Sequence, residues 1–172
     1  MSEKKTLNQK FSMAVMLLIP IGVAVNFVGA QITHALKLPV YLDVIGTILV
    51  GGLCGPVFGG LTGLITNCLT SIPAPAELPY AIVNMSIGIV AGFAARKGAF
   101  KTVKGTIIAG ICIWAITQLT VAPIGVILYG GSNGVTGAGV LTTFMIATGK
   151  SVWQSVITVN LVVETVDKFL SA

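Results

Sequence analysis

The chain has 172 residues, of which 55% are hydrophobic and only 9% are charged. A soluble domain carries about 25% charged residues, so a soluble fold of this size could not cover so much apolar surface. The composition therefore excludes a water-soluble enzyme, a nucleic-acid-binding domain and a disordered tail, and the net charge of +5 does not indicate nucleic acid as a partner.

The first predicted element is a membrane helix over residues 11–30, which contain no charged residue and follow a basic N-terminus. About 20 apolar residues are needed to cross a bilayer. The next segment, residues 31–41, contains His34, Lys37 and Pro39 and is interpreted as a loop.

The stretch 42–70 is apolar but is interrupted by Gly55 and Pro56. One interpretation is a single long span. The other is a pair of short helices, 42–54 and 57–70, joined by a tight turn, because proline breaks a helix interior and glycine supplies the turn. Each short helix would be only about 20 Å long, so protein must shield it or it must end in a cavity.

Small residues recur within this stretch and in the span that follows it. Glycines stand at every fourth position from 51 to 63, and Gly88 and Gly92 add another such pair. This spacing lets helix backbones approach closely in lipid. The contact could lie within the chain or with a partner, and packing within the chain is the simpler interpretation.

Three further spans are predicted, separated by a proline-rich, a basic and a glycine-rich loop: 80–95, 105–128 and 151–169. The short apolar piece 138–148 is either a lid or a packed helix. With six spans, eight of the ten Lys and Arg residues lie on the side of both termini, whereas five spans would abolish this bias. The positive-inside rule favours six spans with cytoplasmic termini. The predicted fold class is an all-α integral membrane protein, with residues 1–172 forming one membrane-embedded domain.

Polar side chains inside the spans are the candidate functional residues, because unpaired polar groups are costly in a bilayer. On an ideal last helix, five of them fall within an arc of about 120°: Lys150, Trp153, Gln154, Asn160 and Glu164. Tyr80 and Asn84 lie one turn apart on the fourth span, and Gln118 lies on the fifth.

Structural roles are open for several of these groups. Trp153 and Tyr80 could be aromatic residues at the membrane interface, and the amides could only hold helices together. Asp43 could cap the second helix, and Glu164 could pair with Lys168 one turn later.

The sequence contains no nucleophile with a neighbouring base, no paired carboxylates for catalysis and no cluster of metal ligands. Its three cysteines form no CxxC motif and its single histidine stands alone. We therefore expect no enzymatic activity, no cofactor and no metal. Amides and aromatics with one or two charges instead suit a pocket for a small, polar, partly aromatic molecule.

Residues 41–67, with the sequence YLDVIGTILVGGLCGPVFGGLTGLITN, form a glycine-rich hairpin around the Gly-Pro turn. This hairpin, the chain length, the six spans and the basic N-terminus resemble the substrate-binding S component of an energy-coupling factor (ECF) vitamin transporter. The resemblance implies a protein of the bacterial plasma membrane that binds a vitamin or precursor near the outer face. It also implies that one transmembrane coupling subunit and two ATPase subunits supply the energy.

The family pocket implied by the resemblance uses the outer parts of the fourth to sixth spans together with the first outer loop. By position, this selects seven substrate-binding candidates: Tyr80, Asn84, Gln118, Asn133, Lys150, Trp153 and Gln154. The first span of such proteins carries an Ala-x-x-x-Ala surface for the coupling subunit. Here Ala14 is followed by Leu18, so the motif is imperfect.

Small polar rings are the expected ligands. Trp153 could stack on a pyridoxine-like or hydroxymethylpyrimidine-like ring, and the amides could bond its hydroxyls and nitrogens. Pantothenate is the next candidate. Two other classes stay open, namely a small oligomeric channel or secondary carrier, which would pass solutes without ATP, and a membrane scaffold subunit, which would bind no ligand.

Overall fold

A computed structural model describes the backbone of residues 2–171 and the side chains of residues 13, 15–168, 170 and 171. The described chain is helical throughout and has seven α-helices: α1 Ser2–Leu36, α2 Ile45–Cys54, α3 Pro56–Thr70, α4 Ala81–Arg96, α5 Val103–Tyr129, α6 Gly137–Ala147 and α7 Val152–Ser171. Short 3₁₀ turns, Pro75–Tyr80 and Ala99–Lys101, precede α4 and α5.

Three helical segments among the described residues are long and apolar enough to cross a bilayer: Val15–Leu36, Pro75–Arg96 and Val103–Tyr129. Large apolar side chains cover their outer faces, with Met16 70% exposed and Leu119 72% exposed. Such surfaces require lipid around them, because water would make them aggregate. The prediction of a membrane-embedded helical protein is confirmed, whereas six spans with cytoplasmic termini stay a prediction.

The Gly-Pro turn divides the 42–70 stretch into two short helices, as predicted. Gly55 ends α2 with a φ of 97°, a conformation that favours glycine, and Pro56 occupies the first turn of α3. The structure differs from the predicted boundaries in two places. The helix α1 continues to Leu36 through the expected loop, and α2 begins only at Ile45.

The glycine repeat packs within the chain, where α3 lies along α4 and α2 lies beside both. A Cβ atom on Gly88 would overlap the carbonyl group of Gly59, so the two backbones are in direct contact. The fully buried Asn26 connects the helix α1 to α2 and α3. Its amide nitrogen donates to Thr47 Oγ1 at 2.8 Å and Thr66 Oγ1 at 3.0 Å.

The remaining helices close the other side of the bundle. The helix α5 packs against α4 and α7, and α6 packs against α7. Thr102 begins α5 by accepting a hydrogen bond from the Gly105 amide at 3.1 Å, and Gly130 ends it in the left-handed conformation. Between α1 and α2, the extended segment 37–44 enters the bundle and brings Tyr41 and Asp43 against α7 and α4.

Candidate ligand-binding cavity

A cavity of about 60 Å³ lies among the 41–44 segment, the Pro75–Tyr80 turn and the helices α4 to α7. One part of its lining is apolar and includes Val83, Val121 and Val156. The other part is polar. Its ionisable and amide members are Tyr41, Asp43, Glu77, Tyr80, Asn84, Asn133, Asn160, Glu164 and Lys168.

Two buried amides position the wall that α4 contributes. Asn67 of α3 donates from Nδ2 to the Glu77 carbonyl at 3.1 Å and accepts from Asn84 Nδ2 at 2.9 Å. Asn84 Nδ2 also donates to the Asp43 carbonyl at 3.1 Å. Because both donor hydrogens of Asn84 are used, its side chain is fixed, and its buried Oδ1 has no hydrogen-bond partner among the described residues.

The opposite wall carries a buried ionic cluster on α7. Lys168 Nζ forms an ion pair with Glu164 at 3.0 Å and another with the neighbouring Asp167. The predicted pairing of Glu164 with Lys168 is confirmed. The Lys168 ammonium also lies 5.8 Å from the centre of the Tyr41 ring, in the range of a cation–π interaction.

Asp167 links this cluster to the extended 37–44 segment. Its Oδ1 accepts hydrogen bonds from the amides of Tyr41 and Leu42, each at 2.9 Å. Leu42 has a φ of +52°, which is uncommon for a branched residue. The carboxylate therefore stabilises a backbone conformation that directs Tyr41 and Asp43 toward the cavity.

The expected capping role of Asp43 is wrong. The residue before α2 is Val44, and no side chain caps that helix. The Asp43 side chain instead lines the cavity. Burial raises the pKa of its carboxyl to about 6, although the Lys168 ammonium opposes the rise. Burial also raises the pKa of Tyr41 well above its usual value, so this phenol stays neutral at physiological pH.

A glycine-rich connection, residues 130–136, covers one end of the cavity and is called the glycine loop here. Lys37 Nζ donates to the carbonyls of Gly134 at 3.3 Å and Val135 at 2.7 Å. Asn133 Nδ2 donates to Glu77 Oε1 at 3.2 Å. These contacts join the glycine loop to two segments that are distant in sequence.

An aromatic pair supports the Pro75–Tyr80 turn. The rings of Tyr80 and Tyr129 stack with centroids 6.0 Å apart, and Tyr129 Oη donates to the Ala76 carbonyl at 2.8 Å. This arrangement attaches the turn to the end of α5 and holds Tyr80 at the cavity.

The seven substrate-binding candidates divide into three groups. Tyr80, Asn84 and Asn133 line the cavity. Gln118 lies behind the wall, where its Nε2 donates to the Asn160 carbonyl at 3.0 Å. The other three are exposed and are not among the lining residues: Lys150, Trp153 and Gln154. The binding role of all seven stays a prediction.

The coupling candidates lie on α1. The Ala14 side chain falls outside the described residues, and Leu18 is half-buried. Their contact with a coupling subunit stays a prediction.

Sequence reasoning did not select Tyr41, Asp43, Glu77 or Lys168 as ligand-contacting candidates. The scarcity of acidic residues is the signal that could have identified them, because the whole chain contains only five. Acidic residues next to or inside apolar segments are expensive and usually functional. Three of the five line this cavity, and Asp167 lies directly behind its wall.

Comparison with known proteins identifies the family. Residues 14–171 match the family described as "ECF transporter, substrate-specific component". No curated protein and no solved structure matches the chain. Since the match covers most of the sequence, the chain belongs to the substrate-specific components of ECF transporters, a family of transporter binding subunits.

Proposed function

We propose that this S component binds a water-soluble vitamin or vitamin precursor in the cavity between α4 and α7, for uptake across the bacterial plasma membrane. A separate module, with one transmembrane coupling subunit and two ATPase subunits, drives release of the ligand into the cell. The observation that carries the proposal is a cavity inside the helical bundle whose lining combines apolar side chains with buried amides and carboxylates. Within it, the rigidly held Asn84 offers an unused acceptor.

The lining favours a small ring over an aliphatic chain. Apolar side chains of α4, α5 and α7 provide flat contact area, and carboxylates and amides provide hydrogen bonds around it. A pyridoxine-like or hydroxymethylpyrimidine-like ring fits this chemistry, with pantothenate as the next candidate. Tyr80, which directly precedes α4, lines the cavity and could contact such a ring.

The cavity must widen to admit such a ligand. The cavity volume of about 60 Å³ is less than half of the about 150 Å³ of an engineered cavity that binds benzene. The glycine loop is the segment best suited to move. It contains three glycines with positive φ, and side-chain contacts from Lys37 and Glu77 fasten it.

The first experiment identifies the ligand and locates its site. We would purify the chain from cells grown in rich medium, denature it and identify released molecules by mass spectrometry. The same protein would then be titrated with a panel of vitamins and precursors. A stoichiometric ligand supports the proposal, and absence of binding in both experiments contradicts it.

Two neighbouring threonines on α6 provide a matched pair for locating the site. Thr142 and Thr143 each donate a hydrogen bond to the carbonyl four residues earlier, but only Thr142 lines the cavity. Thr142→Phe should fill the cavity and abolish binding, whereas Thr143→Phe, on the exposed face, should leave the affinity within about twofold. Equal effects would place the site elsewhere.

Energy coupling is tested by reconstitution. Vesicles that contain the S component alone should bind the ligand without accumulating it. Addition of the coupling module and ATP should produce uptake. Accumulation by the S component alone, without ATP, would instead support a channel or secondary carrier.

A further inference from the structure

The charges around the cavity are unbalanced. Asp43, Glu77 and Glu164 line it together with a single cation, Lys168. The Lys168 ammonium is already shared between Glu164 and Asp167. Among the described side chains, both ion pairs belong to Lys168, and neither Asp43 nor Glu77 takes part in one.

Hydrogen bonds from the protein do not make up this deficit. Glu77 is only 7% exposed and accepts one hydrogen bond, from Asn133 at 3.2 Å. The donor nitrogen of Asn67 is directed to the Glu77 carbonyl and not to its carboxylate. A buried carboxylate with so few donors is costly unless a ligand completes its shell.

The Asn84 amide independently indicates that the cavity lacks hydrogen-bond donors. Asn84 is 2% exposed, and both hydrogens of its Nδ2 are engaged by Asp43 and Asn67. Its Oδ1 is buried without a partner. The cavity therefore offers acceptor oxygens on two carboxylates outside the ion pairs, of which Glu77 accepts a single hydrogen bond, and one amide oxygen, Asn84 Oδ1, that has no donor within the described protein.

We infer that the natural ligand is a ring compound with a positively charged nitrogen or amine substituents, and that Asp43 and Glu77 select it by charge while Asn84 Oδ1 accepts one of its hydrogens. Valines of α4, α5 and α7 contact the flat apolar faces of the ring. This inference rests on the proposed function and makes it more specific, since an anionic vitamin such as pantothenate would meet two uncompensated carboxylates.

The test uses the wild-type protein and three compounds that share one ring skeleton. Pyridoxamine carries an ammonium group, pyridoxine a hydroxymethyl group and pyridoxic acid a carboxylate at a side position of the ring. They are titrated by isothermal calorimetry within a wider panel that includes thiamine, pantothenate and biotin. Cationic and amine-bearing compounds should bind at least about 100-fold more tightly than carboxylates of the same skeleton.

Two variants assign the selectivity to the named residues. Glu77→Gln and Asp43→Asn should each reduce the affinity for the cationic ligand by about tenfold or more, because a charge-assisted hydrogen bond becomes a neutral one. The same variants should change the affinity for a neutral analogue by less than about threefold. Thr148→Lys is the control, since it changes the net charge by the same amount at an exposed loop outside the lining.

The outcomes separate this inference from the proposed function. A best ligand that is a carboxylate without a basic nitrogen would overturn the inference and leave the vitamin-binding function supported. Equal affinities across the charge series would overturn it as well, whether or not the variants fold. Absence of binding by any compound, and of any co-purified molecule, would overturn both.

Discussion

Loss of the buried cation should destabilise the fold far more than loss of an ordinary lysine. Lys168 is 3% exposed and forms ion pairs with Glu164 and Asp167, which are 2% and 0% exposed. Lys168→Met would leave two neighbouring carboxylates buried without a counter-charge. Breaking a buried ion pair from one side costs about 3–5 kcal/mol, so we expect a loss of that size in the free energy of unfolding.

The assay is equilibrium unfolding in mixed micelles by titration with a denaturing detergent. Lys104→Met is the control, because Lys104 is exposed on α5 and should change stability by less than about 0.5 kcal/mol. The triple variant Lys168→Met with Glu164→Gln and Asp167→Asn removes all three charges and should recover most of the loss. A loss below about 1 kcal/mol for the single variant, or no recovery in the triple variant, would refute a buried charge cluster.

Three further outcomes follow from the same contacts. Lys37→Met removes the two bonds to the glycine loop, so ligand dissociation measured by stopped flow should accelerate about tenfold while the free energy of unfolding changes little; an unchanged rate would show that this loop does not limit exit. Affinity for a permanently cationic ligand should fall by about tenfold between pH 7.5 and pH 5, because Asp43, with a pKa of about 6 and facing Glu77, Asp167 and Lys168, becomes protonated. Asp43→Asn should reduce this fall, and a pH-independent affinity in the unmodified protein would contradict the assignment. Gly88→Ala should impair folding, as judged by size-exclusion chromatography and thermal unfolding, since its Cβ would overlap Gly59, whereas Gly110→Ala, with open space around the added carbon, should be neutral or stabilising.

The helical framework was predictable because hydropathy and helix-breaking residues act locally. The Gly-Pro turn favoured two short helices over one long span, and the four-residue glycine repeat favoured close backbone contact within the chain; the structure has both features. The end of α1 was not predictable by the same reasoning. His34, Lys37 and Pro39 were taken to mark a loop from residue 31, but the helix continues past His34 to Leu36. The Leu38 amide then donates back to the Thr33 carbonyl in the last turn.

The cavity was only partly predictable, because helical periodicity specifies a face but not a position along the helix axis. The polar face of the last helix was assigned to residues 150–164, and Asn160 and Glu164 of that face do line the cavity. The lining on α7 runs from Val156 to Lys168, so the first turn, with Trp153, lies beyond it. Asp43 was misassigned because an acid just before a helix satisfies the local rule for a cap, while its actual contacts come from residues far away in sequence.

The buried acids fall into two pairs with different roles: Glu164 and Asp167 stabilise the fold, whereas Asp43 and Glu77 are available to bind a ligand. A chain with five acids could fold with none of them buried, and uncompensated carboxylates in a membrane protein oppose folding. Lys168 resolves that problem for Glu164 and Asp167, and Asp167 in return holds the 37–44 segment in place. Neither Asp43 nor Glu77 takes part in an ion pair among the described residues, so we attribute their positions to a ligand that supplies positive charge. The binding free energy of that ligand would then include relief of the cost that the empty cavity carries, which favours tight binding by a small molecule.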